Sequence, residues 1–376
     1  MIRLTVPTIE ADDLEAVSDA LASGFLVQGQ RVAAFEEVVA NRVGVKHAVA
    51  VSNATCALHL SLLALDVRPG DICVVTAYSW ISTANVIELC GARPVFVDVD
   101  AESFNIDVSQ LEEVLGRLMA NPSTARRVKA VLPVHTFGQM VNMQQLSEVC
   151  SRWNLPIVED AACALGASFH DRQAGTWGTL GCFSFHPRKA ITTGEGGMIT
   201  TDDSVLANRI RSLRNHGLDP VASEADFIMP GHNYRLTEFQ AALGATQMGK
   251  LERIITARCQ AARRYDELLR DTPLQAPQVI RGASHVYQSY VSLLPPAAAS
   301  RRREIIQGAR EAGVELQVGT LHMPMTTFFR DQYGYRKGDF PVSDIVSARA
   351  LALPLFESLG VEDQRTVVNT VLALLR

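Results

Sequence analysis

Two periodicities alternate along this chain. Residues 10–22 (EADDLEAVSDALA) place acids first and then apolar residues every three or four positions, a pattern that predicts a surface helix. Residues 29–44 (GQRVAAFEEVVANRVG) repeat it. Gly44 supplies the stop, because glycine takes the left-handed conformation that ends a helix without steric cost. From residue 46 onward, short apolar runs exchange regularly with longer amphipathic ones. Strands are predicted at 46–52, 71–76, 94–98, 128–134, 155–160 and 181–185, and helices at 54–65, 78–90, 109–120, 142–153 and 204–214. Such alternation predicts an α/β fold with a mainly parallel central sheet flanked by helices.

The pattern changes after a long helical stretch that starts at Thr237-Glu238 and reaches about residue 270. Residues 271–284 are rich in Pro, Gly and Ala and read as a linker. Strands at 286–294, 314–318 and 351–355 and helices at 301–312, 343–350 and 361–375 then predict a smaller α+β unit. The expected division is a large domain over 1–250 and a small C-terminal domain over 251–376, with the long helix as the bridge.

Composition narrows the class. Of the 376 residues, 47% are hydrophobic and 20% charged, enough to bury a sizeable core. A net charge of −5 argues against nucleic acid as the main partner. The seven cysteines (56, 73, 90, 150, 163, 182 and 259) are scattered and form no C-x-x-C pair, as expected for reduced thiols in a cytoplasmic protein. The N-terminus turns acidic by residue 10 and lacks the apolar core of a signal peptide. No uncharged apolar run approaches the roughly 18 residues needed to span a bilayer.

Candidate chemistry concentrates at residues 157–201. An apolar run delivers Glu159 and Asp160, a second run ends near Phe185, and a single lysine, Lys189, precedes Thr-Thr-Gly-Glu-Gly-Gly. An acid at a strand end and a lysine on a later loop suit carbonyl-cofactor chemistry, in which the lysine forms a Schiff base and the acid keeps a ring nitrogen protonated. Earlier, residues 52–58 (SNATCAL) end a strand and open a helix. The free N–H groups of that first turn make an anion site, with Thr55 as an added hydroxyl; a simple helix cap is the plainer alternative. Thr55, Trp80, His135, Asp160 and Ser184 all fall at or just past strand ends, where parallel sheets bind ligands. P-loop, zincin and nucleophile-elbow motifs are missing. Cys182 and His186 alone do not make a metal site, so no metal is expected.

The chain resembles the DegT/DnrJ/EryC1/StrS aminotransferases, fold-type I enzymes dependent on pyridoxal 5′-phosphate (PLP). The resemblance runs through residues 52–58 (SNATCAL), 78–85 (YSWISTAN), 91–98 (GARPVFVD), 134–138 (VHTFG), 159–167 (EDAACALGA), 183–200 (FSFHPRKAITTGEGGMIT) and 231–242 (GHNYRLTEFQAA). It implies that Lys189 forms the internal aldimine and shuttles the proton, and that Asp160 pairs with the pyridinium nitrogen. It further implies that Trp80 stacks on the ring, that Ala54, Thr55, Cys56 and Ser184 hold the phosphate, and that Asn233 reaches the cofactor of a partner subunit in a homodimer. Glu159, on the other face of its strand, is expected to be structural. Cys163 stands where this family commonly has Gln or His against the ring, and a thiol is a weak donor. Arg235, His322 and His186 are candidates for substrate contact.

The implied reaction is a ping-pong transamination. An amino acid, L-glutamate by analogy, would leave as 2-oxoglutarate, and a keto-sugar, nucleotide-linked by analogy, would take the amino group. Two alternatives stand beside it. A PLP-dependent sugar dehydratase-like enzyme would carry His in place of Lys189. A non-catalytic PLP-binding regulatory protein would be expected to show an appended DNA-binding helix pair or a basic stripe, and neither occurs.

Overall fold

In the computed structural model, which describes all residues from Met1 to Arg376, the strands in chain order are β1 (His47–Val51), β2 (Ile72–Thr76), β3 (Tyr78–Ser79), β4 (Arg93–Val97), β5 (Val128–Leu132), β6 (Val158–Asp160), β7 (Ser168–Phe169), β8 (Arg172–Gln173), β9 (Leu180–Ser184), β10 (Gly197–Thr201), β11 (Tyr290–Leu293), β12 (Gln317–Val318), β13 (Leu321–His322) and β14 (Ala350–Leu353). One group pairs in the order β1-β10-β9-β6 and another in the order β4-β2-β5. Parallel bridges from Val131 to Ile157 and from Val134 to Asp160 join them through β5 and β6. The result is a seven-stranded sheet in the order 1-10-9-6-5-2-4. Only β10 runs against its neighbours, so the sheet is mainly parallel, as the alternation predicts.

Both faces of this sheet are buried. Successive residues of a strand point to opposite sides. Accordingly, Ala48, Ala50 and Val74 enter one apolar core while Val49, Val51, Cys73 and Val75 enter another. This explains why the strands read as nearly continuous apolar runs rather than alternating ones. The helix Ala54–Ala64 is itself enclosed: Ala57 through Leu62 are all buried, and Ser61 Oγ lies 3.3 Å from Cys182 Sγ on β9. This helix is therefore fixed directly over the centre of the sheet.

The long helix Glu238–Leu269 begins with a capping box between Thr237 and Gln240. Its first half (Ala241, Met248, Leu251, Ile254) belongs to the core of the large sheet. Its second half (Ala261, Ala262, Tyr265, Leu269) belongs to a separate core beneath the three-stranded sheet β11-β14-β12. The helix runs unbroken through residue 250. N-terminal Ile2 and Val6 also pack on that second core. No helix is long and apolar enough to cross a membrane.

Three local expectations are corrected. The helix expected from residue 78 starts at Ser82, because Tyr78 and Ser79 form β3 and pair with β13 from the C-terminal part. β10 was not expected from the sequence; it is short, opens with glycine, and follows β9 through a loop rather than a helix. The strand expected at 286–294 is confined to Tyr290–Leu293, and the segment before it packs against the Phe137–Gly138 turn instead.

Candidate active site

The carboxyl end of β6 presents two acids to opposite faces. Glu159 is fully buried. Its carboxylate accepts from the N–H groups of Gly175, Trp177 and Gly178 at 2.9, 2.7 and 2.6 Å and lies 2.8 Å from His135 Nε2. Each oxygen has two partners, so Glu159 is spent on building the 175–178 turn. Asp160 differs. Its Oδ2 accepts from Thr83 Oγ1 at 2.6 Å and its Oδ1 from the Ala162 N–H at 3.2 Å. One lone-pair direction on each oxygen is left open. Beneath it, burial pushes the Cys182 thiol well above its ordinary pKa, and the charges of Asp160 and Glu159 add to the shift. That sulfur stays a neutral packing group.

Lys189 lies on the loop between β9 and β10. The loop is pinched at its base: Thr193 N–H and Thr192 Oγ1 both donate to Phe185 O at 3.0 Å, and Phe185 N–H donates to Gly196 O at 2.9 Å. Gly194 takes φ +79° inside it, a conformation that an L side chain would strain. Lys189 N–H donates to His186 O at 2.8 Å, and Arg188 N–H donates to His186 Nδ1 at 3.2 Å. The half-buried Lys189 amine forms no ion pair; its hydrogen bond goes to Cys163 Sγ at 3.1 Å. A small cavity beside it is lined by Cys163, Ser184, Lys189, Ile191 and Gln288.

The turn after β1 is a helix N-terminus. Asn53 caps it by accepting from Cys56 N–H at 2.9 Å. The cap is therefore supplied by Asn53, and Thr55 is exposed. Ala54 and Thr55 occupy the first turn, where N–H groups have no intrahelical acceptor. Gly197 allows β10 to pass beneath: a Cβ there would lie 2.5 Å from Asn53 O and 2.8 Å from Ala54 N. The helix N-terminus and the end of the lysine loop are thus in direct contact.

The remaining sequence candidates fall into two groups. Trp80 is 64% exposed, so it is not a core aromatic, and it directly follows β3. His322 is on β13, paired with Tyr78. Burial holds its imidazole below the ordinary range despite Asp344 and Asp98 nearby. His186 is on the lysine loop, and burial likewise lowers its pKa. Asn233 and Arg235 lie apart from the lysine cavity. Asn233 is exposed and bridges to Asn215. Arg235 Nη1 donates to Asn215 Oδ1 at 2.5 Å rather than to a carboxylate. Their segment touches the first turn through Ser52 N–H, which donates to Tyr234 O at 2.9 Å. Thr83 and Gln288 were missed. Thr83 was discoverable as a hydroxyl in the turn that follows Trp80, whereas Gln288 carries no local signal. A larger cavity of about 340 Å³, between residues 147–157 and 177–179, lies at the amino end of β6, away from these groups.

The residues fit PLP by their chemistry. A phosphate dianion suits the free N–H groups of the first turn and the hydroxyls of Thr55 and Ser184. A pyridinium suits a buried carboxylate with open lone pairs. An aldehyde suits an amine with no carboxylate partner. Comparison with known proteins agrees. The model of the DegT/DnrJ/EryC1/StrS aminotransferase family matches residues 7–372. The GDP-perosamine synthase of Caulobacter vibrioides is 36% identical over 84% of this chain and 83% of its own. The UDP-4-amino-4-deoxy-L-arabinose–oxoglutarate aminotransferase of Shewanella sediminis is 32% identical over 98% of this chain and 97% of its own. Among solved structures, Helicobacter pylori PseC, an aminotransferase involved in pseudoaminic acid biosynthesis, gives a TM-score of 0.91 at 27% identity, covering 99% of this chain and 98% of its own. The chain belongs to the DegT/DnrJ/EryC1/StrS aminotransferase family and is a fold-type I, PLP-dependent aminotransferase.

Proposed function

We propose that this enzyme moves an amino group from L-glutamate to a keto-sugar carried on a nucleotide. The observation that carries the reading is the Lys189 amine, free of any carboxylate, in a cavity it shares with Ser184. That cavity lies next to the strand that ends in the buried Asp160. The names of two relatives support the substrate class: both contain a nucleotide-linked sugar, and one contains oxoglutarate.

When bound, PLP supplies a carbonyl carbon and an electron sink. The protein does the rest. Asp160 would hold the proton on the ring nitrogen, and Thr83 fixes the rotation of its carboxyl group. Ala54, Thr55 and Ser184 would hold the phosphate; the Cys56 N–H, also expected there, is taken by the Asn53 cap. Trp80, exposed just past β3, would cover one ring face. Lys189 Nζ is the base and acid that moves the proton at the substrate carbon. Cys163 receives Nζ when the amine is free. Arg235, His186 and His322 are proposed to meet the substrate.

We propose a homodimer in which Asn233 completes the partner's phosphate site, and a two-part subunit divided near residue 250. Phe25, Leu26 and Val27 are 77%, 41% and 53% exposed, and Phe227 and Ile228 are 63% and 52% exposed. Val27 bridges to Thr237, close to Asn233. Consecutive exposed apolar residues of this kind favour a covered interface. Sedimentation at assay concentrations is expected to give a dimer; an active monomer rules this out. The reaction is tested by absorbance. The purified protein is expected to carry a visible cofactor band that millimolar L-glutamate removes and 2-oxoglutarate restores. If no amino donor bleaches the band, the reading fails.

A further inference from the structure

Gln288 belongs to the segment that leads into β11, far along the chain from Lys189, yet it lines the lysine cavity. Its Nε2 donates to Arg188 O at 3.0 Å, and its Oε1 accepts from Ser289 Oγ at 3.1 Å. Both halves of the amide are engaged, so its rotation is fixed. Arg188 O belongs to the peptide group whose nitrogen is that of Lys189. Gln288 therefore holds the peptide plane from which the lysine side chain departs.

The backbone of Gln288 is anchored in turn. Its carbonyl accepts from Arg258 Nη1 at 3.1 Å, and the same nitrogen reaches Tyr287 O and Leu355 O at 3.3 Å. Arg258 is among the most completely buried side chains of the protein. On the other side, Val286 N–H donates to Gly138 O at 3.0 Å and Ser289 N–H to Phe137 O at 3.3 Å. Gly138 (φ +100°) fits only as glycine: a Cβ would lie 2.9 Å from Gln288 N and 3.0 Å from Cys163 O. The segments carrying Cys163 and Gln288 thus meet at Gly138. One holds the far end of the Lys189 side chain, and the other holds its peptide.

We propose that Gln288 is a positioning residue for Lys189. The inference rests on Lys189 being the reacting amine. A lysine that alternates between a covalent link and free base must return to one position each cycle, and its flexible four-carbon stem cannot define that position. The peptide plane must define it. A displacement of about 1 Å at the reacting atom can cost on the order of a hundredfold in rate.

The test compares Gln288→Glu, which keeps the shape but loses the donor, with Gln288→Ala. In the cofactor-free full-length chain, amide hydrogen exchange of the peptide spanning residues 186–193 is expected to speed up about three- to tenfold in both variants. In the loaded enzyme, the pH midpoint of the visible cofactor band is expected to shift. Turnover is expected to fall roughly ten- to a hundredfold, with the KM for glutamate changed less than about threefold. If Gln288→Glu exchanges and titrates like the wild type, the proposal is overturned, whatever Gln288→Ala does to folding. If Lys189→Ala retains the visible band, the reading of Lys189 falls and takes this proposal with it. Wild-type exchange in Gln288→Glu together with a Lys189-dependent band overturns the positioning role alone.

Discussion

Lys189→Ala is expected to lower transamination by at least roughly a thousandfold, since loss of a positioned general acid–base alone removes about 10²–10⁴ in rate and the covalent anchor is lost with it. No second lysine lines the cavity to replace it. His186, on the same loop, has its Nδ1 occupied by the Arg188 N–H and does not line the cavity. Truncation leaves space where the four-carbon stem stood, so added methylamine is expected to restore part of the turnover in proportion to its concentration. Lys189→Arg is expected to be equally inactive but not to be rescued, because the guanidinium fills the space and stays protonated. Single-turnover mixing with glutamate reads all three variants. A Lys189→Ala protein that turns over like the wild type would show that another group moves the proton.

How much of this was legible in the sequence depended on the range of the interactions. The pattern of apolar runs placed six strands of the large sheet, because both faces of each are buried and a buried parallel strand needs no distant partner to look apolar. It also placed Asp160 and Lys189 at a strand end and on a loop. β10 escaped: its place next to the edge strand follows from antiparallel pairing with β1 and β9, which leaves no local periodicity in five residues that begin with glycine. β3 escaped because Tyr78 and Ser79 are extended only through pairing with Leu321 and His322. Side-chain partnerships were hidden for the same reason. Nothing around residue 288 announces that its amide reaches Arg188. Nothing around Cys163 announces that its sulfur faces Nζ of Lys189. The family resemblance marked Cys163 as a departure, a weak donor where Gln or His commonly faces the ring, and the geometry gives it a contact to the lysine.

Asp160→Asn is expected to leave the cofactor bound and the fold intact while cutting turnover a hundred- to several-thousand-fold. The substitution keeps volume and shape. Thr83 Oγ1, which donates to Oδ2 at 2.6 Å, can still donate to the amide oxygen and keeps the rotamer, while the longer 3.2 Å bond from the Ala162 N–H to Oδ1 is given up to the amide nitrogen. What is lost is the negative charge in a position only 5% exposed, where water cannot compensate. Removing one member of a buried charged pair costs roughly 3–5 kcal/mol, and each ~1.4 kcal/mol on the barrier is about tenfold in rate. The loss is expected in both half-reactions, since in each the carboxylate would keep the bound ring protonated. KM should move much less than kcat, because the charge acts on the reacting electrons rather than on substrate binding. Thr83→Val supplies the graded control: the carboxylate remains but loses one hydrogen bond, so turnover is expected to fall only about tenfold. Rapid-mixing rates for band loss with glutamate and band recovery with 2-oxoglutarate measure the two halves separately. Equal wild-type rates in Asp160→Asn would show that the ring nitrogen does not depend on this carboxylate, and the assignment of Asp160 would have to be abandoned.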